Sequence, residues 1–373
     1  MSAIFLLLFG LFGIYCTYLE ANGTALIHDL IAAGTLPNSH IPLRTVYTRF
    51  QPLDRILTHI VVFLWPVTNQ HPLLTLHATN FLAGTNAIWT LLLIEGYRRG
   101  NAKTAASYPT IFTLGQYLTS PVGISIYTTL HLATSRTKNP TRHTLAVPIT
   151  VLRIIPVVTI IGLIVPVAVL HSVSDDMKQI FIAAWQFWPV YASMVIFFAY
   201  AVLSRFTKAS ETETETDTDI IQLIYGLCLF TTAIPHFRYI TFIFLRAVFT
   251  GDIRFFYLRD RFDFVLQRPW TNPVSVEEGL HVFLDWSYLV TSLAFLVWAG
   301  SLYRSYSRTG YGKLALLVVL GILAGPIAAA VVLLWEREMV ILGQSDTSTQ
   351  SSGAKSGSGM GKWERGWKVL RFD

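Results

Sequence analysis

Two acidic residues inside apolar stretches are the first candidates for chemistry. Asp285 lies within the stretch 279–303 beside Trp286, and Glu95 lies near the end of the stretch 73–97. An ionisable group in an apolar span is costly, so each acid is a functional candidate by default. A carboxylic acid in an apolar chamber stays protonated until it can donate to an olefin or an epoxide. Aromatic faces around it could then stabilise the resulting cation.

Helical phase places further polar residues beside these acids. At 100° per residue, His77 and Asn80 share a face with Glu95, and His281 and Tyr288 share a face with Asp285. With eight spans, the end of 73–97 and the start of 279–303 emerge on the same side of the membrane. We therefore expect Glu95 and Asp285 at similar depth in one chamber. The predicted substrate-binding residues are His77, Asn80, Trp89, Gln116, Trp188, His236, Arg238, Tyr239, His281, Trp286 and Tyr288.

Each of these residues also has a purely structural interpretation. Glu95 precedes Arg98 and could form an ion pair with it at the headgroups. Asp285 could be neutralised by His281, one turn earlier, or by Arg153 or Arg238. Histidines in a helix bundle are often only hydrogen-bonded packing residues, and aromatic stripes are often packing or an interface belt. The sequence leaves these alternatives open.

The composition predicts the elements that must position these residues. The chain has 373 residues, of which 53% are hydrophobic and 13% charged, against roughly 25% charged in soluble domains. A membrane span needs about 20 apolar residues, and about eight segments approach that length. We therefore predict an all-α, polytopic membrane helix bundle with one transmembrane domain over residues 1–340. The predicted spans are 3–19, 73–97, 105–134, 144–170, 179–204, 220–249, 279–303 and 313–335.

Four other segments have a distinct character. The stretch 105–134 contains several Pro and Gly residues, which predicts a broken helix that faces protein or a cavity. The shorter stretch 56–67 is expected to be a re-entrant or interfacial helix. The loop 250–278 is rich in aromatic and Arg residues, as in a lid at the membrane interface. The tail 341–373 is rich in Ser and Gly and is expected to be flexible.

Several function classes are disfavoured because their residues are absent from the sequence. The net charge of +6 is dispersed, so we expect no nucleic-acid partner. Two cysteines in apolar runs exclude a disulfide framework and a thiolate cluster. The sequence has no phosphate loop, dinucleotide fingerprint or H-E-x-x-H pair, and its ten histidines are scattered singly. Asp-rich motifs that hold Mg²⁺ against a diphosphate are also absent. We expect neither a cofactor nor a metal.

Two passages resemble a known family. The passage from Asn86 to Arg98, with Trp89 and Glu95, and the passage from His281 to Trp286 resemble fungal membrane-integral terpene cyclases of meroterpenoid biosynthesis. The likeness is closest to the longer cyclases of the ascochlorin, ascofuranone and macrophorin type. Smaller seven-helix members use an early Glu and a late Asp as proton donors, so the resemblance implies these roles for Glu95 and Asp285. This chain departs from them by about one span and by its long tail.

The sequence thus predicts an integral membrane terpene cyclase of the endoplasmic reticulum. It would protonate the terminal epoxide or olefin of a farnesylated substrate and so start a carbocation cyclisation without ionising a diphosphate. Its partners would be a prenylated small molecule and membrane lipid. The alternatives are a transporter or receptor for a lipophilic ligand, which broken spans and polar stripes would also suit, and a sterol-type double-bond isomerase.

Overall fold

The computed structural model of the protein describes residues 2–15, 24–68, 72–113, 119–137, 140–206, 217–249, 275–304 and 311–343. These residues are overwhelmingly helical, and in these ranges strand-like pairing is confined to an isolated bridge between Thr35 and Pro42. The all-α prediction is therefore confirmed. The helices are α1 Ser2–Ile14, α2 Thr24–Ala33, α3 Gln51–Thr68, α4 Pro72–Tyr97, α5 Ser120–Thr134, α6 Arg142–Leu145, α7 Ile149–Ser172, α8 Asp175–Trp185, α9 Trp188–Phe206, α10 Thr218–Phe249, α11 Val276–Arg304, α12 Tyr311–Leu323 and α13 Pro326–Gly343.

Helix α4 lies at the centre of the bundle. It packs along α10, α7 and α11, while α11 also packs against α13, α5 and α1. From Ala83 onward, nearly every residue of α4 is buried, including the polar residues Asn86, Thr90 and Glu95. A helix that is buried on all sides has no face toward solvent or lipid, so its sequence shows no amphipathic pattern. Its polar residues must therefore find partners inside the protein.

The outer helices expose bands of large apolar side chains. On α10, Phe230, Ile234, Phe237 and Phe244 are each more than half exposed. Similar residues are exposed on α1, α9 and α12. Continuous apolar surface of this extent is rare on soluble monomers and suits contact with lipid.

The described helices include two that are long and apolar enough to cross a membrane, Thr218–Leu245 and Val276–Arg304. A third span is possible if α8 and α9, which meet at a 63° bend, count as one. The prediction of about eight spans is therefore not confirmed. Two predicted spans are interrupted: 179–204 by this bend, and 313–335 at Gly325, where φ is +96°.

The structure describes only part of the remaining predicted segments. Residues 105–113 form short 3-10 turns before α5 begins at Ser120, so the described part of 105–134 includes only one α-helix. Helix α3, over the predicted interfacial segment, packs on α8 and buries Leu57 and Trp65. The aromatic loop up to residue 274 and the tail beyond residue 343 lie outside the described residues.

Candidate active site

The buried carboxyl group of Asp285 lies between two histidine rings. Its Oδ1 is 3.4 Å from His77 Nδ1, and its Oδ2 is 3.2 Å from His281 Nδ1. All three side chains are buried. Imidazole both accepts and donates protons near neutral pH, so these contacts allow a proton to be exchanged within the group. We call Asp285, His77 and His281 the acid cluster.

Three helices hold the acid cluster in place. His281 and Asp285 are one turn apart on α11, so their side chains share a face. His77 comes from the first half of α4, which packs beside α11. Tyr239 on α10 stacks on the His77 ring, with ring centres 4.7 Å apart. The cluster is thus enclosed by aromatic surface on the side of α10.

A second polar pair lies next to the acid cluster. The hydroxyl of Tyr288, three residues after Asp285, is 3.2 Å from Nδ1 of His236 on α10. The other ring nitrogen of His236 is 3.2 Å from the carbonyl oxygen of Ile322. Asn80 and Ser292 also lie beside the Tyr288 hydroxyl. We call Tyr288 and His236 together the Tyr288–His236 pair.

The acid cluster has donor atoms that could in principle hold a metal. His77, His281 and Asp285 each offer one ligand atom, and these atoms lie within 4.8 Å of one another. Two imidazole nitrogens and a carboxylate oxygen suit zinc or another divalent transition metal. The same atoms also lie at ion-pair distance from one another, with each Asp285 oxygen facing one histidine. Our expectation of no metal stays a prediction.

Glu95 lies in a different buried group, which contains two arginines. Its Oε1 accepts a hydrogen bond from Arg98 Nε at 2.8 Å and lies 3.6 Å from Arg337 Nη1. Arg98 also donates to both carboxylate oxygens of Glu338. His131 Nε2 lies 3.3 Å from the other Glu95 oxygen. Two arginines and two glutamates balance in charge, and we call these five residues the Glu95 network.

The expectation that Glu95 and Asp285 share one chamber is wrong. His77 contacts Asp285, whereas Glu95 follows His77 by 18 residues on one continuous helix, about 27 Å at 1.5 Å per residue. Trp298, near the other end of α11, donates to His131 at 3.2 Å. Because both ends of α4 meet the corresponding ends of α11, the two helices run parallel. Eight spans, with 73–97 as the second and 279–303 as the seventh, would instead make these helices antiparallel.

The predicted site residues fall into several separate groups in the structure. The structure brings Asp285, His77, His281 and Tyr239 together, with Asn80, Tyr288 and His236 alongside. Trp89 and Trp188 contact each other instead, with ring centres 4.9 Å apart. Trp286 packs on Phe12 of α1. Gln116 lies outside the described residues.

Arg238 lies outside the acid cluster, in a groove on α4 and α10. The groove holds about 280 Å³ and is lined by apolar residues that include Leu76, Phe237 and Phe242. The Arg238 side chain is exposed there. The adjoining residue Tyr239 is the one that stacks on His77. Two groove residues, Leu76 and Phe242, pack in one apolar cluster with Tyr239, so the Tyr239 ring lies between the groove and the acid cluster.

Sequence reasoning missed most of the Glu95 network. The sequence indicates Arg98 as a partner of Glu95, whereas His131, Arg337 and Glu338 join the network only in the fold. The available signal was the triplet Glu336, Arg337 and Glu338 directly after an apolar stretch. Adjacent charges of both signs at that position are costly in lipid and suggest a partner inside the protein.

Comparisons with known proteins agree with the resemblance seen in the sequence. The chain is 29% identical to the terpene cyclase ascI of Acremonium egyptiacum over 337 residues, covering 84% of each chain. It is 29% identical to the terpene cyclase ctvD of Aspergillus terreus over 306 residues, covering 76% of this chain and 83% of that one. It is 27% identical to the terpene cyclase atmA of Aspergillus flavus over 364 residues, covering 90% and 96%.

No solved structure matches the chain. The sequence model of the CtvD domain family matches residues 1–342. Because that match covers most of its length, the chain belongs to the CtvD domain family.

Proposed function

We propose that this protein is a membrane-bound terpene cyclase that protonates the terminal epoxide or olefin of a farnesylated substrate. Relatives that align over most of the chain are named terpene cyclases. The observation that carries the chemical assignment is the buried Asp285 carboxyl group, each of whose oxygens faces an imidazole. This arrangement supplies a proton donor in an apolar surrounding without a nucleotide or a diphosphate site.

In the proposed first step, Asp285 donates its proton to the substrate. His77 and His281 then face the carboxylate that is left behind, which stabilises it. An epoxide oxygen is a stronger base than an alkene carbon, so an epoxide is the favoured partner for a carboxylic acid. The ring faces of Tyr239 and Tyr288 provide electron-rich surface for the cation that forms.

Arg238 is our proposed contact for the polar head group of the substrate. An arginine exposed in an apolar groove on a membrane-length helix is costly unless a polar group meets it. The groove residues Leu76 and Phe242 pack with Tyr239, so a prenyl chain bound there would lie against the side chains that border the acid cluster. A phenol or cyclohexenone oxygen would suit the guanidinium donors.

We propose that the protein is integral to the endoplasmic reticulum membrane and has about eight spans, with an odd number of crossings between the parallel helices α4 and α11. The exposed apolar bands and the two membrane-length helices support a location in lipid. The bent or broken segments would count as further crossings if their halves cross together. Membrane lipid and the prenylated substrate would be its partners, with no metal, cofactor or nucleic acid.

Incubation of microsomes that contain the full-length protein tests this proposal. The probes are a farnesylated phenol and its terminal epoxide. The products are separated, and their masses are measured by mass spectrometry. We expect a cyclised product with the same mass as the epoxide substrate, and none from microsomes that lack the protein. Unchanged substrate across a panel of prenylated phenols would indicate a carrier or a receptor instead.

A further inference from the structure

The Tyr288–His236 pair is built by a break between two helices. Helix α12 ends at Leu323 and α13 begins at Pro326. In a continuous helix, the carbonyl of Ile322 would accept a hydrogen bond from the backbone nitrogen of residue 326, but proline has no N–H. That carbonyl is instead 3.2 Å from Nε2 of His236, which is buried. The break thus leaves an acceptor that binds one side of the His236 ring.

This contact fixes which nitrogen of His236 carries the proton. A carbonyl oxygen only accepts, so Nε2 of His236 must be the N–H nitrogen. In the neutral ring, Nδ1 is then an acceptor, and it faces the Tyr288 hydroxyl at 3.2 Å. Tyr288 therefore donates to His236, and the ring is arranged to take a second proton on Nδ1.

Gly325 lets the helix break approach the pair closely. Its φ of +96° lies in the region that favours glycine. A Cβ atom there would lie 2.9 Å from the Tyr288 hydroxyl oxygen and 3.0 Å from His236 Cγ. A side chain at this position would therefore push the two residues apart.

The Tyr288–His236 pair lies within reach of the same substrate as Asp285. Tyr288 follows Asp285 by three residues on α11, so the two side chains are neighbours on one helix face. The Tyr288 ring centre is 6.5 Å from that of His77, a member of the acid cluster. A proton donor and a proton acceptor thus stand side by side at one site.

We propose that Tyr288 and His236 form the base that ends the cyclisation. This inference rests on the proposed cyclase function. The final cation loses a proton from the carbon next to the charge, or from a hydroxyl that has captured it. The Tyr288 oxygen accepts that proton while its own hydroxyl proton passes to Nδ1 of His236.

The reaction balances without a further reagent. When a carbon loses the proton, its C–H electron pair becomes the new C=C bond. When a hydroxyl loses it, the electron pair stays on the oxygen of the new ether. At that point Asp285 is a carboxylate and His236 an imidazolium, so the net charge of the site is unchanged. Return of the proton from His236 to Asp285 after product release resets the enzyme, and substrate and product have the same composition.

The test compares how variants begin and end the reaction. Full-length Tyr288→Phe protein in microsomes is incubated with the farnesylated phenol epoxide, and both substrate consumption and every product are measured. We expect consumption to fall by less than about tenfold, because Asp285 still starts the reaction. We expect the main product to give way to isomeric alkenes and water-captured alcohols. Tyr191→Phe, exposed on α9, is the matched control and should leave the product pattern unchanged.

A second variant keeps the proposal testable if Tyr288→Phe does not fold. Gly325→Ala retains both Tyr288 and His236, but its Cβ atom forces their side chains apart. It should therefore shift the products toward isomeric alkenes and water-captured alcohols, as Tyr288→Phe does. An unchanged single product from either folded variant would overturn the proposal. So would a loss of consumption in Tyr288→Phe as large as in Asp285→Asn, since Tyr288 would then act at the first step. Full activity of Asp285→Asn would instead contradict the proposed function, which separates the two failures.

Discussion

Two buried carboxylates, Asp285 and Glu95, occupy contrasting surroundings in the same bundle. Asp285 is flanked by two histidines, whereas Glu95 is held by Arg98 and Arg337. Arginine stays charged in proteins, so the carboxylate that faces it is held as an anion. Histidine exchanges protons near neutral pH, so its partner can gain and lose one. A buried acid is thus informative about chemistry only together with the residue type that faces it.

The two groups also differ in how they link the fold. The Glu95 network connects α4, α5 and α13 and includes a hydrogen bond from Arg337 to the carbonyl of Thr137. Such a buried, charge-balanced network favours one packing of the helices. The acid cluster connects α4 and α11 and is bordered by the groove at Arg238. We infer that the Glu95 network supports the bundle while the acid cluster performs the reaction.

The largest expected effect is on turnover in Asp285→Asn. The amide keeps the size of the side chain but cannot donate an acidic proton, so substrate consumption should fall about 10²- to 10⁴-fold. The amount of protein in the membrane should not change. The assay is substrate loss in microsomes that are normalised for protein content. Asp176→Asn, at an exposed ion pair with Arg44, is the control and should behave as wild type.

A large effect on stability is expected in Arg98→Ala. Removing one partner from a buried ion-pair network costs about 3–5 kcal/mol, because the remaining charges lose their compensation. The measurement is the thermal midpoint of unfolding in detergent. Arg44→Ala removes a more exposed pair, which is worth about 0–1 kcal/mol, and serves as control. Equal midpoints for the two variants would show that the Glu95 network does not stabilise the fold.

Thr137→Val sharpens the same comparison with a smaller change. The Thr137 hydroxyl donates to Glu95 Oε2 at 3.3 Å, and its loss should cost about 1–3 kcal/mol because the acceptor is charged. Turnover per folded molecule should stay near that of wild type. Thr134→Val, whose hydroxyl is exposed, provides a matched control. A selective loss of turnover without a change in stability would link the Glu95 network to catalysis.

No effect is expected from metal removal. If Asp285 acts as an acid with His77 and His281 as its partners, treatment of microsomes with a chelator should leave turnover unchanged. Substrate consumption before and after chelation, with zinc or other divalent ions added back, measures this. If chelation abolished activity and an added metal restored it, the acid cluster would be identified as a metal site.

Much of the helical fold and part of the site could be predicted from the sequence. Hydropathy located the ends of α4, α10 and α11 to within a few residues. In lipid, a long apolar segment can satisfy its backbone hydrogen bonds within itself only as a helix. Helical phase grouped His281, Asp285 and Tyr288, since residues three and four apart share a face. These inferences needed only the geometry of a single helix.

Relations between helices could not be predicted in the same way. The parallel arrangement of α4 and α11 depends on how many crossings lie between them, and interruptions such as the 3-10 turns in 105–113 and the break at Gln186 make that number ambiguous. For the same reason, the sequence could not bring Arg337 to Glu95 or His77 to Asp285. It offered Arg98 as one partner of Glu95, but the choice between structural and chemical roles required the neighbours from α5 and α13.

Turnover per folded molecule in the matched amide variants Asp285→Asn and Glu95→Gln tests the central claim most directly. Folded protein is counted in each preparation, and consumption of the farnesylated phenol epoxide is divided by that amount. We predict that Asp285→Asn loses nearly all turnover, while Glu95→Gln is less stable but retains most of its turnover per folded molecule. Retained turnover in Asp285→Asn together with its loss in Glu95→Gln would contradict the account.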